Sequence, residues 1–555
     1  MKHSAIGAKD PRATEAMRRY SELRQERVDF EDDWEDIARL IRPQRGGFGL
    51  DDHTMREREK PLSSVPILAH GNFAAGIYAN ITNPASPWGG LTTPDEDLNK
   101  WPPFAEWMDR QTRRIFTSFS PSLSSFYPAA FQAYGDLAAF GNSAGYDHFD
   151  AGDRRFIDVT LSLAGVVVDV DFHGRVCEVV RKMRLTPRQA VREFGRDDLP
   201  AKVVELADQN KAEKHTYYQH VLKNDQFRPR MLGPGGKRWL SHHVCEVEET
   251  LIRVKGYDEM PFYFPRWDVD SGEIYGTGPG TTALPASRVL QRMEDATIRA
   301  AQRAADPTKL VVDRNAVPLN GTFRPGGTVY GAIGMNGQKF VQSEDFNGNI
   351  GLTMDEKRGK IEEIQNAFFY VVGQLSGRTG ISNEENNVIQ QARLREWAPH
   401  ADRVMEEYAA RKFERRYQML FRQGQIDPPP QGTPEDAKLE IRYRSAAAAA
   451  LAADEANAVR QYFADIGPMM EIKPELRHRM SGDDFMEVLH EAQPALPQRL
   501  LVPREQAAQA VQAEAQQQQL AQAAQLAQQG GAGLRDLAQA AATGQGGNGQ
   551  GGGAQ

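Results

Sequence analysis

The chain has 555 residues, 40% of them apolar and 26% charged, with a mean hydropathy of −0.58 and a formal net charge of −8. That balance excludes an unfolded polyelectrolyte and argues against a protein that grips nucleic acid through an overall basic surface. Two cysteines, Cys177 and Cys245, exclude a disulfide framework or a four-cysteine zinc site within one chain. No run of 18 apolar residues occurs and the first twenty residues lack a secretory apolar core. The expectation is a soluble protein made in the cytosol, either several domains or one large elongated subunit.

In chain order, Tyr20, Leu23, Phe30, Trp34, Ile37 and Ile41 recur at helical steps, with Arg27 the one polar interruption of the stripe. The pattern stops before Pro43 and RGGFG. LAHGNFAAGIYANIT, FAEWMDRQTRRIFTSF and PAAFQAYGDLAAFG follow as further helices, so the first 150 residues read as mostly helical. From Phe156 to Val180 the period changes to a partial alternation around a turn at His173-Gly174, a hairpin. Thr186-Pro187 opens a short helix, with threonine as cap and proline at its first position. Segments 215–222, 239–247 and 249–255 read as strands, making the centre a mixed α+β unit.

The stretch YGTGPGTTALPASRVLQRMEDATIRAAQRAADP places Thr281 or Thr282 as a cap and Pro285 in the first turn of a long helix. Leu290, Met293, Thr297, Ala300 and Ala304 mark its face, and some 24 residues make a rod of roughly 36 Å. Residues 307–350 are glycine-rich with short β-prone runs. Thr353 and Glu356 form a capping-box pattern, and Ile361, Ile364, Phe368, Val371 and Leu375 continue it as a second long helix. Two rods thus flank a small β tip. Ser382 and Glu385 make another capping pattern. Pro399 interrupts the next helix, which resumes through Val404, Tyr408, Tyr417, Leu420 and Phe421 to Gly424. Helices follow over 446–463 and 482–493. Beyond about 505 the chain is Ala/Gln-rich, a helix only neighbours would stabilise, and then Gly-rich and disordered.

Motifs for chemistry are weak. Gly276-Thr277-Gly278-Pro279-Gly280 precedes a helix, but Thr281 stands where a third glycine is required and a proline intrudes. Gly233 to Arg238 resembles a phosphate loop lacking its first glycine, with Arg238 in place of the hydroxyl that holds magnesium. His242, His243 and Cys245 sit on one strand, where adjacent residues point to opposite faces, so a strand is the better reading than a zinc site. No G-x-S-x-G elbow or H-E-x-x-H helix occurs. The expectation is no catalytic residue, no metal and no cofactor.

Arg411, Lys412, Arg415 and Arg416 alternate with Phe413, Tyr417 and Phe421. They read as a partly buried helix neutralised by Glu406, Glu407 and Glu414, in preference to a nucleic-acid or subunit-facing stripe. Around Arg378, Asn383, Asn386, Asn387, Gln390, Gln391 and Arg393, two readings stand side by side. One is an exposed polar loop. The other is a set of amides and arginines touching a phosphate backbone without reading bases.

Taken in order, these segments resemble the portal, or head-to-tail connector, proteins of short-tailed bacteriophages. The resemblance is carried by LAHGNFAAGIYANITNPASPWGGLTTPDEDL, FYPAAFQAYGDLAAFGNSAGY, PFYFPRWDVDSGEIYGTGPGTTALPASRVL, RAAQRAADP and ARKFERRYQMLFRQGQIDPPP, from about residue 11 to about 500. After the second long helix the sequence departs from the family pattern, reading GISNEENNVIQ. The resemblance implies an elongated, mainly helical α+β fold: a wing over 1–280, a stem helix over 281–306, a β-rich clip over 307–352 and a second stem helix over 353–375. A tunnel loop and linking helix would follow over 376–427, a helical crown over 428–504, and the Ala/Gln helix and Gly-rich tail over 505–555. It implies a ring of typically twelve copies in the virion, at one capsid vertex, assembled in the host cytoplasm, with the residues from Arg378 to Arg393 facing the channel. Double-stranded DNA would pass through it. The partners would be the major capsid protein, scaffolding protein, terminase large subunit and tail adaptor protein, with no membrane. Twelve copies at −8 bring about 96 negative charges, a wall that limits sticking of duplex. A packaging ATPase is the alternative, disfavoured by the missing phosphate loop; a scaffold-like assembly protein is a third reading.

Overall fold

Helix α1 (Pro11–Leu40) starts where the Asp10 side chain accepts the Arg12 N–H, with Pro11 in its first turn. The structure is a computed structural model. It describes residues 10–43, 45–48, 61–85, 87–305, 309–311, 333, 335–339, 341–343, 350–369, 399–434, 437–443, 458–462, 464, 486, 511–514 and 516–518. Met1–Ala450 and Leu451–Gln555 are separate units. In the second, 458–462, 511–514 and 516–518 are helical.

The stripe foreseen on α1 serves two cores. Ala13, Ala16, Tyr20 and Leu23 pack on Val167, Val180, Tyr218 and Val244, while Trp34, Ile37 and Ile41 enter the main aromatic core. Arg27, the polar interruption between them, is fully buried. Its guanidinium donates to the carbonyls of Leu163 (2.7 Å), Val166 (2.7 Å) and Ala164 (3.2 Å) and to Glu31 (2.6 Å). Those carbonyls belong to a tight turn that water cannot reach, so the arginine supplies the donors they require.

The apolar face of α1 meets an antiparallel five-stranded sheet. Its strands are β4 (Val166–Val170), β5 (Val176–Leu185), β6 (His215–Lys223), β7 (Trp239–Cys245) and β8 (Thr250–Tyr257), adjacent in sequence order. The first two form the hairpin expected at His173-Gly174, and Gly174 takes a φ of 74°. On the other face lie α6 (Pro187–Phe194) and α7 (Ala201–Asp208), burying Ala190, Phe194, Leu199 and Val203 against Tyr217, Cys245 and Ile252. Thr186 and Gln189 cap α6 reciprocally.

The remaining helices build the main core: α2 (Val65–Ile81), α3 (Glu96–Lys100), α4 (Pro102–Ser118) and α5 (Phe126–Phe140). The first 150 residues are less uniformly helical than their sequence suggests. β1 (Gly89–Thr92) pairs with β12 (Glu440–Tyr443), and β2 (Ala144–Asp150) pairs with β3 (Arg155–Leu161) and with β9 (Phe262–Tyr263). These strands carry Asp147, His148, Asp150 and Asp158, and so lack a clean apolar alternation.

Helix α8 (Pro279–Ala305) begins before either threonine, which leaves Pro285 in its second turn. The cause is a close crossing with the end of α5. A Cβ on Gly280 would stand 2.0 Å from the Ala139 carbonyl oxygen, and one on Gly278 would stand 2.7 Å from the Gly141 Cα. The glycines of the apparent phosphate loop are spent on backbone approach. β10 (Lys309–Val311) and β11 (Val341–Ser343) pair antiparallel before α9 (Ile350–Ala367) returns alongside α8. Helix α9 opens ahead of Thr353 and closes at Ala367. There Phe368 turns into the core, and Phe369, at φ 52°, stacks on Phe73 with centroids 5.3 Å apart. Val371 and Leu375 lie outside the described residues. Helical residues run from Pro399, the first described residue of this stretch, through a π-helical turn at Met405–Ala410, into α10 (Arg411–Arg422).

The crossing predicts a contrast between two glycines. Gly280→Ala lowers the thermal unfolding midpoint by several degrees, a loss of about 2 kcal/mol or more. Gly76→Ala, mid-α2 with open space around it, holds or raises the midpoint, since alanine is the better helix former by about 1 kcal/mol. Differential scanning calorimetry of the two variants checks this.

Candidate functional site

Helices α8 and α9 form a stalk. Every buried residue of α8 lies between Pro279 and Leu290. From Gln291 to Ala305, a length of roughly 22 Å, its side chains are half-buried or exposed. The two helices are tied by Lys357 Nζ to Glu294 Oε2 at 3.0 Å, and the root of α8 is tied to α1 by Arg288 to Asp33 (2.9 Å) and Asp36 (2.6 Å). Val289, Ile298 and Met354 are 40%, 41% and 49% exposed along it.

Where the main core reaches the β2–β3 hairpin, α10 buries three cations. Lys412 Nζ lies 2.7 Å from Asp158 Oδ1 and 3.6 Å from Asp147 Oδ2. Arg415 Nε lies 2.6 Å from Asp147 Oδ1, and its Nη1 3.5 Å from Glu259. Arg416 Nη2 lies 2.9 Å from Asp158 Oδ2 while its Nη1 donates to the Ser118 carbonyl at 2.9 Å. Ser124 and Tyr263 hydroxyls donate to the same two carboxylates at 2.8 Å each. Aromatic faces complete the enclosure: Lys412 stands 3.9 Å from the Tyr263 centroid, and Arg416 lies between Phe156 (3.9 Å) and Phe119 (4.4 Å). Burial alone would raise the Asp158 carboxyl, but Lys412 and Arg416 overcome it and hold it well below the usual carboxylate range.

Lys412, Arg415 and Arg416 are therefore buried, as their spacing with aromatics suggests, while Arg411 is exposed, and the counter-charges are Asp147, Asp158 and Glu259. Glu407 instead holds Arg266 at 2.7 Å. Only sequence-distant strands supply the partners, and no local spacing could reveal them.

The histidines of β7 divide as strand geometry requires. His243 meets Phe194 beneath α6, and His242 meets His220, which lies 2.6 Å from Glu178. Burial lowers His242 to about 4 and His243 to about 3, so both are neutral at pH 7. Burial would raise Glu178, but hydrogen bonds from His220 and Arg19 bring it down to about 2. Among the described residues, no three His, Cys, Asp or Glu side chains are grouped to hold a metal ion. Gly233–Arg238 forms a tight turn ahead of β7, not a helix start, and Lys237 pairs with Asp258 at 2.7 Å. The channel candidates Arg378, Asn383, Asn386, Asn387, Gln390, Gln391 and Arg393 lie outside the described residues.

Residues 13–501 match the family described as bacteriophage head to tail connecting protein. The chain belongs to that family. It is 24% identical over 507 residues to the portal protein of Salmonella phage epsilon15, and 27% identical over 508 to the probable portal protein of Bordetella phage BPP-1. Each alignment covers 88% of this chain and 89% of the relative. Among solved structures it is similar to a chain in the virion of a native gene transfer agent particle. That chain has 14% identity and a TM-score of 0.36, with 78% of this chain and 89% of that one covered. Another lies in the neck of an empty particle of that kind computed with C6 symmetry, with 14% identity and a TM-score of 0.39 over 82% and 93%. The connector identity expected from the sequence is met: this is a structural protein of the virion, joining head to tail, with an α+β fold. No helix among the described residues is long and apolar enough to cross a membrane.

The buried cluster predicts acid sensitivity of a definite sign. Asp158 and Glu178 titrate lower in the folded chain than unfolded, so their stabilisation is complete above about pH 4.5 and is lost as pH falls toward 2. Asp158→Asn leaves Lys412 and Arg416 under-compensated and costs about 3 to 5 kcal/mol at pH 7. It also flattens the fall below pH 4.5, as read from unfolding midpoints between pH 2 and 7.

Proposed function

We propose that the chain assembles side by side into a ring, typically of twelve copies, around a channel that passes double-stranded DNA into the head during packaging and out during ejection. The α8–α9 stalk carries this reading: in a lone subunit Val289, Ile298 and Met354 face water, and neighbouring stalks around an axis would cover them. In this arrangement 281–306 and 353–375 act as the stem, 307–352 as the clip, 1–280 as the wing and 428–504 as the crown. Residues 376–427 supply a tunnel loop and linking helix, so the side chains from Arg378 to Arg393 face the DNA. The family membership and the curated relatives support the role.

The clip would meet the terminase large subunit while the head fills and the tail adaptor protein afterwards. The wing and crown would meet the major capsid protein and scaffolding protein. A non-enzymatic conduit suits the spent glycines of 276–280, which leave no phosphate cradle. The net charge of −8 per copy keeps the wall repulsive, so duplex slides past few contacts.

Class averages of the purified full chain in negative stain should show rings with a central hole. Monomers or fibres under the same conditions would rule the reading out. Fluorescence-quenched ATP hydrolysis assays should give no turnover.

A further inference from the structure

A closed ring of identical subunits needs two different, mutually complementary patches on each copy, because a heterologous contact must be made head to tail. Among the described residues Phe172, Leu232 and Met335 are each at least 94% exposed; the first two lie in loops between strands of the five-stranded sheet, and an open cleft lies by the β2–β3 hairpin. The cleft, of about 620 Å³, is lined by Leu123, Phe149 and Phe156 beneath Arg113, Arg114 and Arg154. Arg113 and Arg114 hold Asp109 and Asp427, and Arg154, exposed at the β2–β3 turn with φ 50°, adds a third guanidinium.

The first knob is Phe172, 100% exposed at the tip of the β4–β5 hairpin. Its turn is rigid: the Asp171 carboxylate accepts the backbone N–H groups of His173 and Arg175, both at 2.9 Å. The backbone of the turn is thus held in one shape, so little chain order is lost on binding. Asp169 and Asp171 flank Phe172, paired with Arg19 at 2.7 Å and Arg175 at 3.3 Å. The second knob, Leu232, is 94% exposed but is flanked by Arg228, Arg230 and Lys237, which an arginine-rimmed cleft would repel. Like charge disfavours Leu232, whereas the paired acids beside Phe172 meet the cleft without repulsion.

Placement also fits. Arg266 joins the hairpin turn to the π-helical turn before α10, bonding the Gly174 carbonyl and Glu407, each at 2.7 Å. The cleft lies at the far end of the same helix, where Gln423 lines it, roughly 24 Å away at 1.5 Å per residue. Knob and cleft therefore occupy opposite ends of one rigid element, and Phe172 cannot fill the cleft of its own subunit.

We propose that Phe172 of each copy seats in the Arg154–Leu123–Phe156 cleft of the next, a wing-level contact that sets the direction of the ring. This rests on the ring reading above.

The test uses the full chain with Cys177→Ser, adding His173→Cys beside the intact knob and Thr117→Cys at the cleft, both exposed positions. A flexible bis-maleimide should give a ladder of covalent multimers from the double variant and none from either single one. In parallel, Phe172→Ala and Arg154→Glu, both at exposed positions, should raise the concentration for half-assembly at least about tenfold at an unchanged melting temperature. Rings that form normally in those variants and give no ladder overturn the contact while leaving the ring intact. Absence of rings in the unmodified chain overturns both.

Discussion

Three cations of one helix, closed off from water by two carboxylates of a hairpin, hold the main body together. Lys412, Arg415 and Arg416 are each no more than 4% exposed, and charges so placed are costly unless paired and hydrogen-bonded. Here the balance closes locally: Asp147, Asp158 and Glu259 answer the charges, hydroxyls of Ser124 and Tyr263 fill remaining lone pairs, and aromatic faces take the rest of the cation surface. Such a cluster adds little net stability over an apolar core of equal volume, but it tolerates no other register. α10 can sit on β2 and β3 in one way only, which in turn places Phe413, Tyr408 and Trp88 in the shared aromatic core.

That fixed body is what the stalk needs. The root of α8 is clamped by glycine crossings at the end of α5 and by Arg288 on α1, while its outer half packs along α9, with Gln291 accepting the Leu62 N–H. A lever held rigidly at one end and uncovered at the other transmits its orientation to whatever covers it.

Much of this was legible in the chain itself. The stripe of α1, the Thr186 cap, the strands from His215 to Tyr257 and the paired long helices all follow from local periodicity and capping chemistry, which depend on neighbours within a few positions. Local spacing is blind to what is settled at a distance. β1 pairs in register with β12, some 350 positions on. The polar strands β2 and β3 exist because buried cations require their carboxylates. Likewise the start of α8 is set by a backbone contact with α5, against its own threonine caps. Arg27 marks the boundary: a break in an apolar stripe is visible in sequence, but its purpose, three carbonyls in a buried turn, is visible only in space.

The order of synthesis gives the charge cluster a temporal side. Arg416 follows Asp158 by 258 residues, so at ribosomal speeds of five to twenty residues per second the hairpin waits about 13 to 50 seconds for its counter-ions. Throughout that interval its acids must stay hydrated, and the wall of the aromatic core they border stays open. The nascent chain therefore completes its body late, after the whole stalk has emerged, and a fragment cut short before α10 carries carboxylates that favour water over closure.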